Sequence, residues 1–143
     1  MYSGTTELTI DAKGRLAVPA RYRASLLDSC GGRLSITRSL DDCLLIYPYP
    51  AWEEFAAKLM GLPSLTAQVK MLQRHFLGSA EEVLMDKQGR VQLTPYLRAK
   101  AHLERSAMFI GQGEKFELWD AQTWERYQDE VELDAEFLAS LGI

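Results

Sequence analysis

Over the first fifty residues, apolar side chains recur at every second position in short runs separated by turn-forming residues. Leu8-Thr9-Ile10 is followed by Asp11-Ala12-Lys13-Gly14 and then by Arg15-Leu16-Ala17-Val18. Alternation on both sides of a segment with Asp first and Gly fourth predicts two strands joined by a type I turn. Leu16 and Val18 then face a core, and Arg15 and Ala17 face away. Pro19 ends the strand and opens a short helix over Ala20 to Leu27, with Arg21 and Arg23 near its start. Arg33 to Thr37 alternates again, and Cys43 to Tyr47 is a continuous apolar run of strand length, with Ser39 to Asp42 as the turn between them. The unit reads β-β-α-β-β.

Beyond Pro48-Tyr49-Pro50 the period changes. Trp52, Phe55, Ala56, Leu59 and Met60 share one face of a helix. Gly61 and Pro63 break it, and Leu65, Val69, Leu72 and Phe76 predict a second helix. The first plan then returns: Val83-Leu84-Met85, an Asp86 to Gly89 turn, Arg90 to Leu93, and a helix with Thr94 as N-cap and Pro95 in its first turn. Strands at Ala107 to Ile110 and Phe116 to Trp119 follow. A last helix from Ala121 is expected to bury Trp124, Tyr127, Val131 and Leu138.

The return is literal. At an offset of 75 residues Asp11, Gly14, Arg15 and Arg23 coincide with Asp86, Gly89, Arg90 and Arg98, and Leu16 and Val18 with Val91 and Leu93. At an offset of 72, Leu44 and Ile46 coincide with Phe116 and Leu118, and Trp52 with Trp124, so three residues are lost between the two anchors. A chain that repeats itself is read as a repeat first. The expected organisation is a first unit over 5–48, a helical linker over 49–78, a second unit over 79–120 and an acidic C-terminal helix over 121–143. With 143 residues in all, neither half is large enough to build a comfortable core alone, and the class expected is α+β, mainly β.

Composition removes several classes of function. No apolar run approaches the roughly 18 to 20 residues of a membrane span, and the N-terminus lacks a basic segment followed by an apolar one, which points to a cytoplasmic protein with no membrane partner. Cys30 and Cys43 have no metal or redox spacing, and His75 and His102 stand apart, so no metal or other cofactor is expected. An enzyme built on Asp11 and Asp86 as paired carboxylates lacks a positioned His, a nucleophile or a phosphate-cradling loop, and no catalytic residue is assigned.

The net charge of −4 at first argues against a polyanionic partner. Its distribution reverses that reading. Residues 1–113 carry fourteen Lys and Arg against eleven Asp and Glu, a balance of +3, whereas residues 114–143 carry two against nine, a balance of −7. Lys13, Arg15, Arg21 and Arg23 surround Asp11, and Lys87, Arg90, Arg98 and Lys100 surround Asp86.

Gly14 and Gly89 are turn glycines and Asp11 and Asp86 turn openers, residues that support the motif. Arg15 and Arg90 are different, because neither a turn nor a strand calls for Arg. One reading is a salt bridge back to Asp11 or Asp86, and another is contact with phosphates or base edges of double-stranded DNA. The two are compatible, since a carboxylate that holds a guanidinium also prepares it to bind. The basic patch is open to the same pair of readings, a solvated face or a phosphate-binding one.

TIDAKGRLAVPARYR, CLLIYPYPAWEEF, DKQGRVQL and KFELWDAQTWERY, in that order, resemble the MraZ family of bacterial regulators, which carry two AbrB-like (SpoVT-AbrB) units in one chain. The family's Asp-x-x-x-Arg motif falls on Asp11 to Arg15 and on Asp86 to Arg90. The resemblance implies swapped-hairpin β units interlocked within one chain as a pseudo-dimer barrel with peripheral helices. It also implies a ring-shaped homo-oligomer that binds short repeated elements in the promoter of the division and cell wall gene cluster, acting as a nucleoid-associated repressor. The DNA-contacting residues expected are Lys13, Arg15, Lys87 and Arg90, with Arg21 and Arg23. A ring-forming assembly or nucleoid-associated protein without sequence-specific regulation is the alternative.

Overall fold

The computed structural model describes residues 1–63 and 65–143. The first unit runs β1 (Thr5–Thr9), β2 (Arg15–Ala17), α1 (Ala20–Cys30), β3 (Arg33–Arg38) and β4 (Leu44–Pro48). Helices α2 (Tyr49–Met60) and α3 (Ala67–Leu77) form the linker. The second unit repeats the order as β5 (Glu81–Leu84), β6 (Arg90–Gln92), α4 (Pro95–Lys100), β7 (Ser106–Gln112) and β8 (Lys115–Asp120), followed by α5 (Ala121–Glu130) and α6 (Ala135–Ser140). Local chemistry explains the boundaries. The Thr66, Thr94, Asp120 and Asp134 side chains each accept from a backbone N–H in the first turn of the helix that follows, filling the N-cap role. Helix α1 stops at Gly31, whose φ of 63° lets the N–H groups of Gly31 and Gly32 return to the carbonyls of Leu27 and Leu26.

The strands form a six-stranded antiparallel sheet in the order β1-β7-β8-β4-β3-β5 and a two-stranded ribbon of β2 and β6. The hairpins are swapped: β1 of the first unit lies against β7 of the second, and β5 of the second against β3 of the first. The order is the same read from either edge when each strand is exchanged for its repeat counterpart. Two pairs of counterparts mark the centre of this symmetry, Leu16 opposite Val91 in the ribbon and Leu45 opposite Glu117 in the sheet. The three missing residues are also located. Thr37, paired with Leu45, corresponds to Ile110, paired with Glu117, at an offset of 73, so two residues are lost between the ribbon strand and β3 or β7 and one in the turn that follows.

One core joins the units. Leu16, Leu26, Ile36 and Ile46 from the first pack with Val91, Leu97, Phe109 and Phe116 from the second, all at most 2% exposed. Strand β4 is buried on both faces, which is why its sequence does not alternate. Leu44 and Ile46 face this core, while Leu45 and Tyr47 belong to a second cluster with Trp52, Leu59 and Phe76 of the linker. The buried Thr37 hydroxyl donates to the Phe76 carbonyl at 2.6 Å and ties α3 to β3.

The linker and tail depart from expectation in three places. Met60, expected on the buried face of α2, is 64% exposed, because Gly61 ends the helix there and Leu59 takes the inward position. Leu65 lies before the Thr66 cap and is exposed. The expected single C-terminal helix is two, because Val131 takes up an extended conformation and Asp134 caps a new helix. Trp124 and Tyr127 pack with tilted rings against Trp119 and are half-buried, Leu138 is half-buried, and Val131 is exposed.

Candidate nucleic-acid interface

Each Asp-x-x-Gly-Arg segment forms the same small structure. The Gly14 N–H donates to the Asp11 carbonyl at 3.0 Å and the Asp11 N–H to the Arg15 carbonyl at 2.9 Å, closing the turn. Gly14 and Gly89 have φ of 82° and 76°, the left-handed region that favours Gly. The Asp11 carboxylate then organises what remains. Oδ1 accepts from the N–H groups of Lys13 at 2.9 Å and Arg15 at 2.8 Å, and Oδ2 accepts from Arg15 Nε at 2.8 Å. Asp86 does the same with Gln88, Arg90 and Arg90 Nε, all at 2.9 Å. The Arg backbone N–H is the largest cause that holds both carboxyls below the ordinary aspartate range; desolvation opposes it, and the guanidinium hydrogen bond adds to the lowering. The salt bridge anticipated from sequence is therefore present in both copies.

Each guanidinium is engaged, among the described residues, through Nε alone. Among the described residues the Nη groups of Arg15 and Arg90 have no protein partner, so two forks of donors are held at one side and open at the other. That is the arrangement a phosphate or a guanine edge requires.

Strands β2 and β6 bring the forks together. Arg15 lies opposite Gln92 and Ala17 opposite Arg90, with the buried Leu16 and Val91 pair between them on the inner face. Arg15 and Arg90 are thus diagonal neighbours on the outer face, about 7–8 Å apart by sheet geometry. Lys13 and Lys87 are exposed on the two turns, Lys13 at the third turn position and Lys87 at the second, with Gln88 in the place of Lys13.

The helix arginines are divided. Arg23 donates through Nε to the Val18 carbonyl at 2.7 Å and lies against Gly89, so it braces the second turn from the first unit. Its counterpart Arg98 lies against Gly14. Arg21 is turned elsewhere: it donates to the Thr6 hydroxyl at 2.6 Å and sits over the Tyr22 ring, beside the N-terminal segment and away from the ribbon. Gln92 was not singled out from sequence. Its only signal was its repeat partner, Ala17, which marks the position as outward-facing.

A family model described as "MraZ protein, putative antitoxin-like" matches residues 1–75 and 76–139. The chain belongs to the MraZ family. Each matched region contains one Asp-to-Arg turn, so the family's division of the chain coincides with the two halves of the ribbon. The chain is 48% identical over 125 residues to the transcriptional regulator MraZ of Nitrosomonas europaea, covering 87% of this chain and 84% of that protein. It is 48% identical over 130 residues to the transcriptional regulator MraZ of Thioalkalivibrio sulfidiphilus, with 91% and 87% covered. Against the MraZ regulator of Methylococcus capsulatus it is 44% identical over 144 residues, with 99% and 95% covered.

Proposed function

We propose that this MraZ-family protein is a sequence-specific DNA-binding transcriptional regulator without enzymatic activity, and that the outer face of the β2–β6 ribbon is its contact surface. One observation carries the reading: two guanidinium forks, each oriented by its own Asp, stand side by side on an exposed ribbon. A two-stranded ribbon is of a size that enters the major groove. Lys13 and Lys87 flank the forks as phosphate contacts and Arg23 braces the second turn. Arg21 meets the backbone only if the DNA extends beyond the ribbon. The reading includes repression through repeated elements in the promoter of the division and cell wall genes, in the cytoplasm at the nucleoid. The names of the similar proteins, all transcriptional regulators, support the regulatory role.

A single ribbon makes few phosphate contacts, and the whole protomer is acidic. A ring-shaped homo-oligomer that sets several ribbons against several DNA repeats gains on the order of 10² to 10⁴ in avidity without any new contact. Exposed apolar side chains on the linker and tail, among them Met60, Met71, Leu133 and Phe137, suit such an assembly.

The test is binding to the protein's own upstream DNA across a salt series. The affinity is expected to fall with a log–log slope of roughly −0.9 per phosphate neutralised. Arg15→Ala and Arg90→Ala are each expected to weaken binding at least about tenfold, the effect of removing one guanidinium from a base edge or a phosphate. Unchanged affinity in both would reject the interface. The assembly reading instead predicts a ring by light scattering with DNA affinity insensitive to both substitutions.

A further inference from the structure

The two turns make the same internal hydrogen bonds, but besides the placing of their lysines they differ in one contact from outside. Gln92 stands where the first repeat has Ala17, and its Nε2 donates to the Lys13 carbonyl at 2.7 Å and to the Leu93 carbonyl at 3.1 Å. The Lys13 carbonyl lies at the tip of the first turn, so a side chain of the second unit is fastened to the turn of the first. The reciprocal bond, from position 17 to the Gln88 carbonyl, has no donor because Ala17 ends at Cβ.

The consequence extends to the bracing arginines. Arg23 Nε donates to the Val18 carbonyl. The matching Leu93 carbonyl already accepts from Gln92, and Arg98 directs Nη2 to the Glu104 carbonyl at 2.8 Å instead. Its buried Nε has no partner among the described residues. The contact that Arg23 makes with the Val18 carbonyl is thus not repeated at Leu93, whose carbonyl is bonded by Gln92.

We propose that Gln92 is a positioning residue that orders the first turn, Asp11 to Arg15, before DNA arrives, so that one protomer meets the duplex through a fixed first turn and an adaptable second turn. The inference rests on the ribbon being the DNA-binding face. A group held in its bound conformation loses less freedom on association, and binds more tightly for that reason. Gln92 acts through the turn and not by reading a base, because both carbonyls compete for the Nε2 donor that a bidentate contact to adenine needs. The unequal turns also give the protomer a direction on DNA, although its arginines are arranged symmetrically.

The experiment uses the full-length protein with Gln92→Met, which keeps the length of the side chain and removes its donor, and with Ala17→Gln added to Gln92→Met. Amide hydrogen exchange in the absence of DNA is expected to be slower at Lys13 and Arg15 than at Gln88 and Arg90. Gln92→Met removes the difference, and the double variant moves protection to the second turn. On the protein's own upstream DNA, Gln92→Met lowers affinity about 2- to 10-fold, the range for one hydrogen bond, with the salt slope and the affinity for unrelated duplex unchanged. An equal loss of affinity on the protein's own upstream DNA and on unrelated duplex would make Gln92 a direct backbone contact, which carries no sequence information, and overturn the positioning role. Equal exchange at the two turns of the unaltered protein also overturns it. Affinity kept in Gln92→Met but lost in Arg15→Ala rejects this inference alone. Affinity kept in Gln92→Met, Arg15→Ala and Arg90→Ala together rejects the ribbon as the interface and, with it, any role for Gln92 in binding.

Discussion

Leu16 pairs directly with Val91, its own counterpart in the repeat, at the centre of the ribbon. This single pairing converts a duplicated motif into one surface. It buries the two aliphatic side chains beneath the ribbon and sets Arg15 and Arg90 diagonally above it. A shift of one residue in this register would set Leu16 opposite Arg90 or Gln92 and turn the outward side chains of one strand, its guanidinium included, into the core. The core residues thus select the functional geometry as well as the fold.

Because each guanidinium is held through Nε with its Nη groups free, charge alone is insufficient at these positions. Lys in place of Arg keeps the charge but offers neither the sideways bond to Asp nor the fork beyond it. Arg15→Lys and Arg90→Lys are expected to retain the affinity for unrelated duplex within about twofold. Affinity for the cognate element should fall by about 1–3 kcal/mol, the range for a bidentate base contact. Competition titrations with the two DNAs measure the ratio, and equal losses on both would show that the arginines serve only as charges.

The carboxylates of the turns make an acid-limb prediction. The folded values of Asp11 and Asp86 lie below the ordinary aspartate value of 3.8, because the Arg15 and Arg90 N–H groups and guanidiniums favour the ionised form. Their stabilising contribution is therefore complete above that value and is lost as pH falls through the lower folded value. Asp11→Asn and Asp86→Asn should reduce the urea midpoint at pH 7 and lose less than the parent protein on acidification, with the curves converging in strong acid. A constant difference at every pH would mean that the ion pairs contribute nothing. Glu82 is lowered in the same way by Arg33 and remains in the variants, so part of the acid limb persists.

Gly89 is confined by more than its φ of 76°. A Cβ there would stand 2.6 Å from Arg23 Cδ, in the middle of the side chain that bonds the Val18 carbonyl. Gly89→Ala is expected to cost about 1–3 kcal/mol, the range for a side chain forced into a left-handed turn with strain around it. Arg23→Ala should relieve the collision, so the double variant will be more stable than the sum of single effects predicts. Chemical denaturation of the four proteins measures the coupling, and strict additivity would show that Arg23 does not brace this turn.

The turns, caps and apolar periods were legible in the sequence because each depends on neighbours within about four residues. Asp11 to Arg15, Thr94 as N-cap and Leu16 facing inward are all of this kind. What lay beyond sequence reading depends on partners far along the chain. The double burial of β4 requires the linker helices to cover Leu45 and Tyr47. The role of Gln92 requires β6 to lie antiparallel to β2, which brings residue 92 to residue 13. The break at Val131 had a local signal in Asp134, a residue suited to an N-cap, but the periodic placement of Trp124, Tyr127, Val131 and Leu138 concealed it.

The separation of charge leads to the last prediction. The segment 131–143 follows the end of α5, contributes no fully buried side chain and carries three carboxylates, Glu132, Asp134 and Glu136. Removing it changes the formal net charge from −4 to −1. With so little apolar surface at stake, the urea midpoint should move little. The long-range repulsion between the protomer and the phosphate backbone should fall, and most at low ionic strength, where screening is weakest. Affinity for unrelated duplex is therefore expected to rise several-fold near 0.01 M salt, where the screening length is about 30 Å, and to converge with the full chain near 1 M, where it is about 3 Å. Affinity for the cognate element should rise by the same factor, because the tail acts on charge and not on the ribbon's contacts. Equal affinities at low salt would show that the acidic tail plays no part in restraining DNA binding, and a selective change on the cognate element would place the tail in contact with the interface.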